Sequence, residues 1–256
     1  MGRYIKNRKG LNMYVKEHLF GDDEVFLLCH GFTGSIQSYV ISETRAYLRE
    51  REISSISIDF TNNINQAEGD FSQHTLTAEV EDLAVIYETV ASRFKKVYLI
   101  GHSMGCTVAL QFCLKQAVDG LLLIAPPYSM KDIIYIIADN NDGDAKAAIQ
   151  KWERDGGYRF FKEKTQAYYT LSYDFYRDLD SQDPSRYRSI KVPTAIIYSL
   201  TDPLVPPVDS ERLFSEISAE RKMLRAIPDA PHSFNDPLSR QRMLQEVAQS
   251  LQFLRE

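Results

Sequence analysis

No stretch of this sequence reaches the ~18 consecutive apolar residues that a membrane-spanning helix requires, so no span is expected. Basic residues are also short of a majority. Thirty Lys and Arg against 35 Asp and Glu give a net charge of −5, with no basic stripe of the kind that follows a nucleic-acid backbone. Arg3, Lys6, Arg8 and Lys9 cluster near the start, but no apolar region follows them, so no secretory leader is expected. Met1-Gly2 opens like a myristoylation signal, which Lys6 spoils by standing where Ser or Thr is needed. Cysteine is scarce. Cys29, Cys106 and Cys113 are odd in number, lack metal-site spacing and lie in apolar segments, where a free thiol behaves as a small hydrophobe. A cytoplasmic, disulfide-free protein is the expectation. There is no internal repeat or low-complexity tract. One acidic turn, Asp139 to Asp144, suggests a calcium loop. With Gly143 at loop position six, Ala138 and Ile149 fall where carboxylates are required, and the pattern fails.

What is present is an alternation of apolar strands and amphipathic helices. Tyr4–Asn7 and Leu11–Glu17 read as a hairpin turning near Lys9-Gly10. Val25–Cys29, Ser54–Ile58, Val97–Ile100, Leu121–Ile124, Ala195–Tyr198 and Met223–Ile227 read as strands. Helices are expected over Ser38–Glu50, from Thr75, after Ser103, from about Asp209 and over Leu238–Leu254. Short runs that are apolar throughout belong to a mostly parallel sheet covered by helices on both faces. The alternation stops from Tyr128 to Ile190, a stretch too long for a loop and patterned as helices, hence a helical cap inserted into a core of residues 1–127 and 191–256. That insertion holds twelve aromatic residues, including the only tryptophan, Trp152. They serve either as the insertion's own core or as the lining of an apolar pocket; Tyr128, Tyr168, Tyr169 and Tyr173 are the candidate substrate contacts.

The chemistry is concentrated at Gly101-His102-Ser103-Met104-Gly105, where a strand runs straight into G-x-S-x-G and on into a helix. A strand-to-helix turn this tight holds the serine hydroxyl out at the sheet edge, and glycines two residues to either side avoid collisions. Serine needs a base to take its proton and an acid to orient that base. Of five histidines, His18 and His74 read as structural or exposed, and His102 points away from its neighbour's hydroxyl. His232, in the loop after the last strand, opens on the same sheet edge as Ser103. Asp202, after the preceding strand, is the expected acid, with Asp229 and Asp236 as alternatives in the histidine's own loop. Two backbone N–H groups complete the set as oxyanion donors: Met104, directly after the serine, and Phe32, in Cys29-His30-Gly31-Phe32-Thr33-Gly34.

In these residues and their order the chain resembles the α/β-hydrolase family, across nearly its whole length. Within it, His30-Gly31-Phe32-Thr33-Gly34, Asp59-Phe60, Gly69-Asp70-Phe71 and Pro231-His232-Ser233-Phe234 look most like small carboxylesterases of the cinnamoyl and feruloyl esterase type. The resemblance implies an eight-stranded, mostly parallel sheet and a serine esterase acting on a small-molecule ester through an acyl-enzyme, without metal or organic cofactor. A thioesterase or acyltransferase would use the same residues, and a non-catalytic binder would keep only the pocket. Two departures stand out. Thr61-Asn62-Asn63-Ile64-Asn65 replaces the glycine-rich segment usual after Asp59, and Ser199 replaces the glycine usual before the acid.

Overall fold

Residues 2–256 are described by a computed structural model of the protein. The chain begins with an antiparallel hairpin, β1 (Gly2–Lys6) and β2 (Asn12–His18), turned by Gly10 at φ +83°. Strands and helices then alternate as β3 (Glu24–Cys29), α1 (Tyr39–Glu50), β4 (Ser55–Asp59), α2 (Leu76–Ala91), β5 (Lys96–His102), α3 (Met104–Cys113) and β6 (Gly120–Ile124). An insertion follows, made of α4 (Met130–Asp142), α5 (Ala145–Asp155), β7 (Gly157–Lys162), β8 (Ala167–Ser172) and α6 (Tyr173–Asp180). The core resumes with β9 (Thr194–Ser199), α7 (Pro207–Glu216), β10 (Lys222–Ile227) and α8 (Pro237–Arg255).

The main sheet has eight strands in the order β1-β2-β4-β3-β5-β6-β9-β10, antiparallel at β1/β2 and β2/β4 and parallel elsewhere. β3, β5 and β6 are covered on both faces, which is why Val25–Cys29, Val97–Ile100 and Leu121–Ile124 are apolar in succession rather than alternately; β4 is as buried but carries Ser55, Ser57 and Asp59 at alternate positions. Leu27 and Leu99 pack with Leu83 and Val108 under α2 and α3; Phe26, Leu28 and Ile100 pack with Ile41 and Val247 under α1 and α8. Parallel strands place their C-terminal ends on one edge, and the loops after β3, β5, β9 and β10 meet there. Thr75 caps α2 through Oγ1, which accepts from Ala78 N at 3.1 Å. No helix among the described residues is long and apolar enough to cross a membrane.

The insertion is not wholly helical, as its sequence led one to expect. β7 and β8 form a separate two-stranded hairpin in which Phe160 pairs with Tyr169. Gly156, at φ +74°, ends α5, and exposure then alternates residue by residue along Tyr158-Arg159-Phe160-Phe161-Lys162. Dense aromatics suit a half-buried hairpin as well as a helical cap, so their number misled where their period of two was the better guide. The Asp139–Asp144 stretch is the turn between α4 and α5, with Gly143 left-handed and Asp144 capping α5.

His74 is fully buried rather than exposed, lying flat against Phe71 (centroids 5.2 Å, 12° between planes) and Phe175 (5.1 Å, 29°). Burial, with His30 nearby, pushes its pKa down to about 3, so the ring is neutral. A histidine held below its unfolded pKa binds protons preferentially when unfolded. Its stabilising effect is therefore complete above about pH 6.5 and is lost as pH falls toward 3. His74→Phe is expected to gain on the wild type by up to ~1.4 kcal/mol per pH unit across that window. Urea titrations near neutrality and at about pH 4.5 check this; parallel pH dependences would show that His74 does not titrate on unfolding.

Candidate active site

Ser103 sits between β5 and α3 with φ 54° and ψ −124°, a conformation that L-residues rarely adopt and that costs ~1–3 kcal/mol. The surroundings hold it there. Its N–H donates to Ile124 O at 3.0 Å, and its carbonyl accepts from Cys106 N at 2.8 Å. The two flanking glycines have different reasons. A Cβ at Gly101 would lie 2.5 Å from Gly105 O and 2.6 Å from Cys106 N, within the turn itself. A Cβ at Gly105 would lie 2.2 Å from Cys29 O and 2.6 Å from His30 O, so that glycine lets α3 press against the end of β3.

His232 Nε2 is 2.9 Å from Ser103 Oγ, and His232 Nδ1 is 2.7 Å from Asp202 Oδ2. The Asp202 side chain is 2% exposed, and its other oxygen accepts from Leu204 N (2.8 Å) and Val205 N (3.0 Å). Burial works to raise its pKa, but the His232 hydrogen bond and charge, with those two N–H groups, hold it below the ordinary carboxylate value. An ionised Asp202 fixes the His232 proton on Nδ1 and leaves the Nε2 lone pair facing the serine hydroxyl. Asp229 is exposed and accepts from Thr201 Oγ1 at 3.1 Å, while Asp236 caps α8 through Leu238 N and Ser239 N. The structure brings Asp202 to the imidazole, and neither alternative.

Supporting residues appear that sequence reasoning missed. His102 Nε2 is 3.1 Å from His232 O. Burial and the neighbouring His232 push the His102 pKa down to about 3, so its neutral ring donates through Nε2 and anchors the loop that carries His232. Ser199 Oγ donates to Ala230 O at 2.7 Å, and Ala230 N donates to Thr201 Oγ1 at 3.2 Å. These bonds stitch the acid's loop to the histidine's loop, a task that a glycine at 199 has no side chain to perform. Asn62 takes a left-handed φ of 55° within the segment that replaces the glycine-rich one, and Asn63 Nδ2 donates to buried Glu79 at 2.8 Å.

Phe32 lies in the turn after β3 that Gly34 N closes on Gly31 O at 2.9 Å, and Met104 is the first residue of α3. Phe32, Ser103, His102, His232 and Leu204 line a cleft of about 320 Å³, roofed from the cap by Met130, Ile133 and Ile137. Next to it is an apolar chamber of about 240 Å³, sharing Phe32 and Ile137 and walled by Ile134, Trp152, Phe160 and Leu171. The four cap tyrosines line neither space. Tyr128 is buried and donates to Glu216 Oε2 at 2.8 Å; Tyr168 is 62% exposed; Tyr169 meets Phe71 edge-on; Tyr173 stacks on Tyr176. Across the hairpin, Phe160 and Phe161 of β7 both reach the chamber, whereas their β8 partners Tyr169 and Tyr168 do not. Among the described residues no three His, Cys, Asp or Glu side chains gather as metal ligands.

A strained serine at a strand-to-helix turn, a histidine and a buried aspartate in that chain order, on this sheet, define an α/β-hydrolase architecture. The sequence profile of the alpha/beta hydrolase family matches residues 26–249, and the chain belongs to that family. A search of curated proteins finds no match. Among solved structures, the chain is similar to alpha/beta hydrolase domain-containing protein 10 from mouse, with TM-score 0.79 and 14% identity over 99% of each chain. It is also similar to Est1E from Butyrivibrio proteoclasticus with ferulic acid bound, with TM-score 0.74 and 18% identity over 96% of this chain and 99% of that one. An esterase from Exiguobacterium antarcticum matches with TM-score 0.71 and 16% identity over 98% and 99%. At these identities the likeness is one of fold.

Proposed function

We propose that the protein is a serine carboxylesterase, with Ser103 as nucleophile, His232 as general base and acid, and Asp202 as the orienting carboxylate. The observation that carries this reading is the continuous relay from Ser103 Oγ through both His232 nitrogens to Asp202. Ser103 Oγ bonds to the ester carbonyl carbon as its proton passes to His232 Nε2. The oxyanion is held by Phe32 and Met104 N–H groups, each worth ~3 kcal/mol of barrier. The C–O bond to the alcohol then breaks, and His232 returns the proton to the departing alkoxide. Water repeats the sequence on the acyl-enzyme, losing its proton to His232 and releasing the acid.

The apolar chamber beside the cleft favours esters with an apolar or aromatic acyl group, consistent with the ferulic acid held by one structural relative. Assay of p-nitrophenyl esters of increasing acyl length tests the reading: Ser103-dependent hydrolysis that improves beyond acetate supports it, and no turnover of any ester contradicts it. Ile137 stands where chamber and cleft join. Ile137→Trp is expected to lower kcat/KM for long acyl groups at least about tenfold relative to acetate, a difference of ~1.4 kcal/mol. Tyr168→Ala should leave that ratio unchanged. Equal loss on all chain lengths in Ile137→Trp would mean the chamber does not receive the acyl group.

A further inference from the structure

A third space, of about 410 Å³, adjoins the candidate site at the turn after β3. It shares Phe32, Thr33, Gly34 and Ser38 with the cleft that holds Ser103, so a ligand seated on the serine has this annex as a neighbour. The annex is richer in polar groups than the apolar chamber. Its walls include Asp59 at the end of β4, Asn65, and Lys162, Lys164 and Thr165 from the cap hairpin.

Lys162 is the unusual member. It is half-buried, and its Nζ donates to Thr33 O, a neutral carbonyl; among the described residues it makes no ion pair. An ammonium has three donors, so two remain for another group. Lys164 adds charge of the same sign, and Glu163 between them is exposed to solvent. Burial, together with Lys164, lowers the Lys162 pKa to about 8, as befits a cation with no acid to keep its proton. Asp59 is already engaged, accepting from Ile36 N at 2.7 Å and Gln66 N at 3.3 Å, and burial raises its pKa. Desolvating a charge without a counter-ion is unfavourable, and an anion entering the annex would offset that cost. A surface lysine usually avoids the problem by extending into water. This one is turned inward, from the cap, onto the turn that carries the Phe32 donor.

We propose that the annex receives a carboxylate on the alcohol half of the substrate, with Lys162 as the residue that binds it. A monoanion suits a wall that also carries Asp59, and an acyl group in the apolar chamber leaves the alcohol half to face the annex. This assignment rests on the esterase reading and adds a substrate class to it: esters of hydroxy acids whose carboxylate is free.

The test uses butyrate esters of 3- and 4-hydroxybenzoic acid, each compared with the same compound as its methyl ester. Each kcat/KM is divided by the rate with hydroxide in solution, which removes the difference in leaving group. The wild type is expected to prefer the free carboxylate by about tenfold for at least one isomer, as a charge-assisted hydrogen bond allows. Lys162→Met should bring that ratio to about one, chiefly through KM, and Lys162→Arg should keep it well above one. A wild-type ratio near one overturns the proposal. So does a Lys162→Met variant that loses both esters in equal proportion, since Lys162 would then only support the Thr33 turn. Absence of turnover on these esters, with Ser103-dependent hydrolysis of p-nitrophenyl esters intact, overturns this assignment alone; absence of Ser103-dependent turnover on both sets overturns the esterase reading with it.

Discussion

Ser103→Ala is expected to lower kcat on any ester the protein cleaves by about 10⁶-fold, because members of a nucleophile–base–acid set act as a unit. The loss should not come from unfolding. Alanine accepts the φ of 54° no worse than serine, and the side chain's hydrogen-bond partner is His232, at the surface of the cleft rather than in the core. Under the proposed mechanism, removing Oγ deletes the attacking atom and leaves only the proposed oxyanion donors and the apolar chamber. Steady-state kinetics with matched thermal unfolding checks this. More than a few per cent of wild-type kcat, with contamination excluded, would mean that the attack comes from elsewhere.

Asp202→Asn is expected to keep the fold and cut kcat by ~10⁴-fold, about 5.5 kcal/mol of barrier. An amide at this position still accepts from Leu204 N and Val205 N through its oxygen, so the turn survives. The amide nitrogen then meets His232 Nδ1 as a donor, favouring the tautomer whose Nε2 carries a proton and cannot take the one on Ser103. Asp229→Asn and Asp236→Asn are the controls. Asp229 serves Thr201, and Asp236 caps α8, so the latter is worth ~1 kcal/mol of stability and little catalysis. Near-normal kcat in Asp202→Asn, with a large loss at either control, would assign the acid wrongly.

The sheet and the elbow were legible because their signals are local. Val97–Ile100 is apolar at every position because both faces of the sheet are covered, and Gly101 and Gly105 mark close approaches of backbone to backbone. The order serine, aspartate, histidine followed from which strand ends share an edge. What stayed hidden was contact between residues far apart in the chain. Nothing in the sequence couples His102 to the carbonyl of His232, or Ser199 to that of Ala230, since such bonds depend on how two loops meet. The cap was harder for a different reason. Aromatics can fill a small core or line a pocket, and only the way the hairpin packs on the rest of the insertion separates Phe160 and Phe161, which line the chamber, from their partners Tyr169 and Tyr168, which do not. Lys162 carried no sequence signal, because an inward-turned lysine and a solvated one look the same before folding.

The most direct measurement is covalent labelling with a fluorophosphonate, whose phosphorus accepts an activated serine oxygen as an ester carbonyl would. Intact-mass and peptide spectra should show one adduct, on Ser103, formed rapidly in the wild type, absent in Ser103→Ala and strongly slowed in His232→Ala. No adduct on the folded wild-type protein, or one on another serine that persists in Ser103→Ala, would contradict the assignment of Ser103 as the nucleophile.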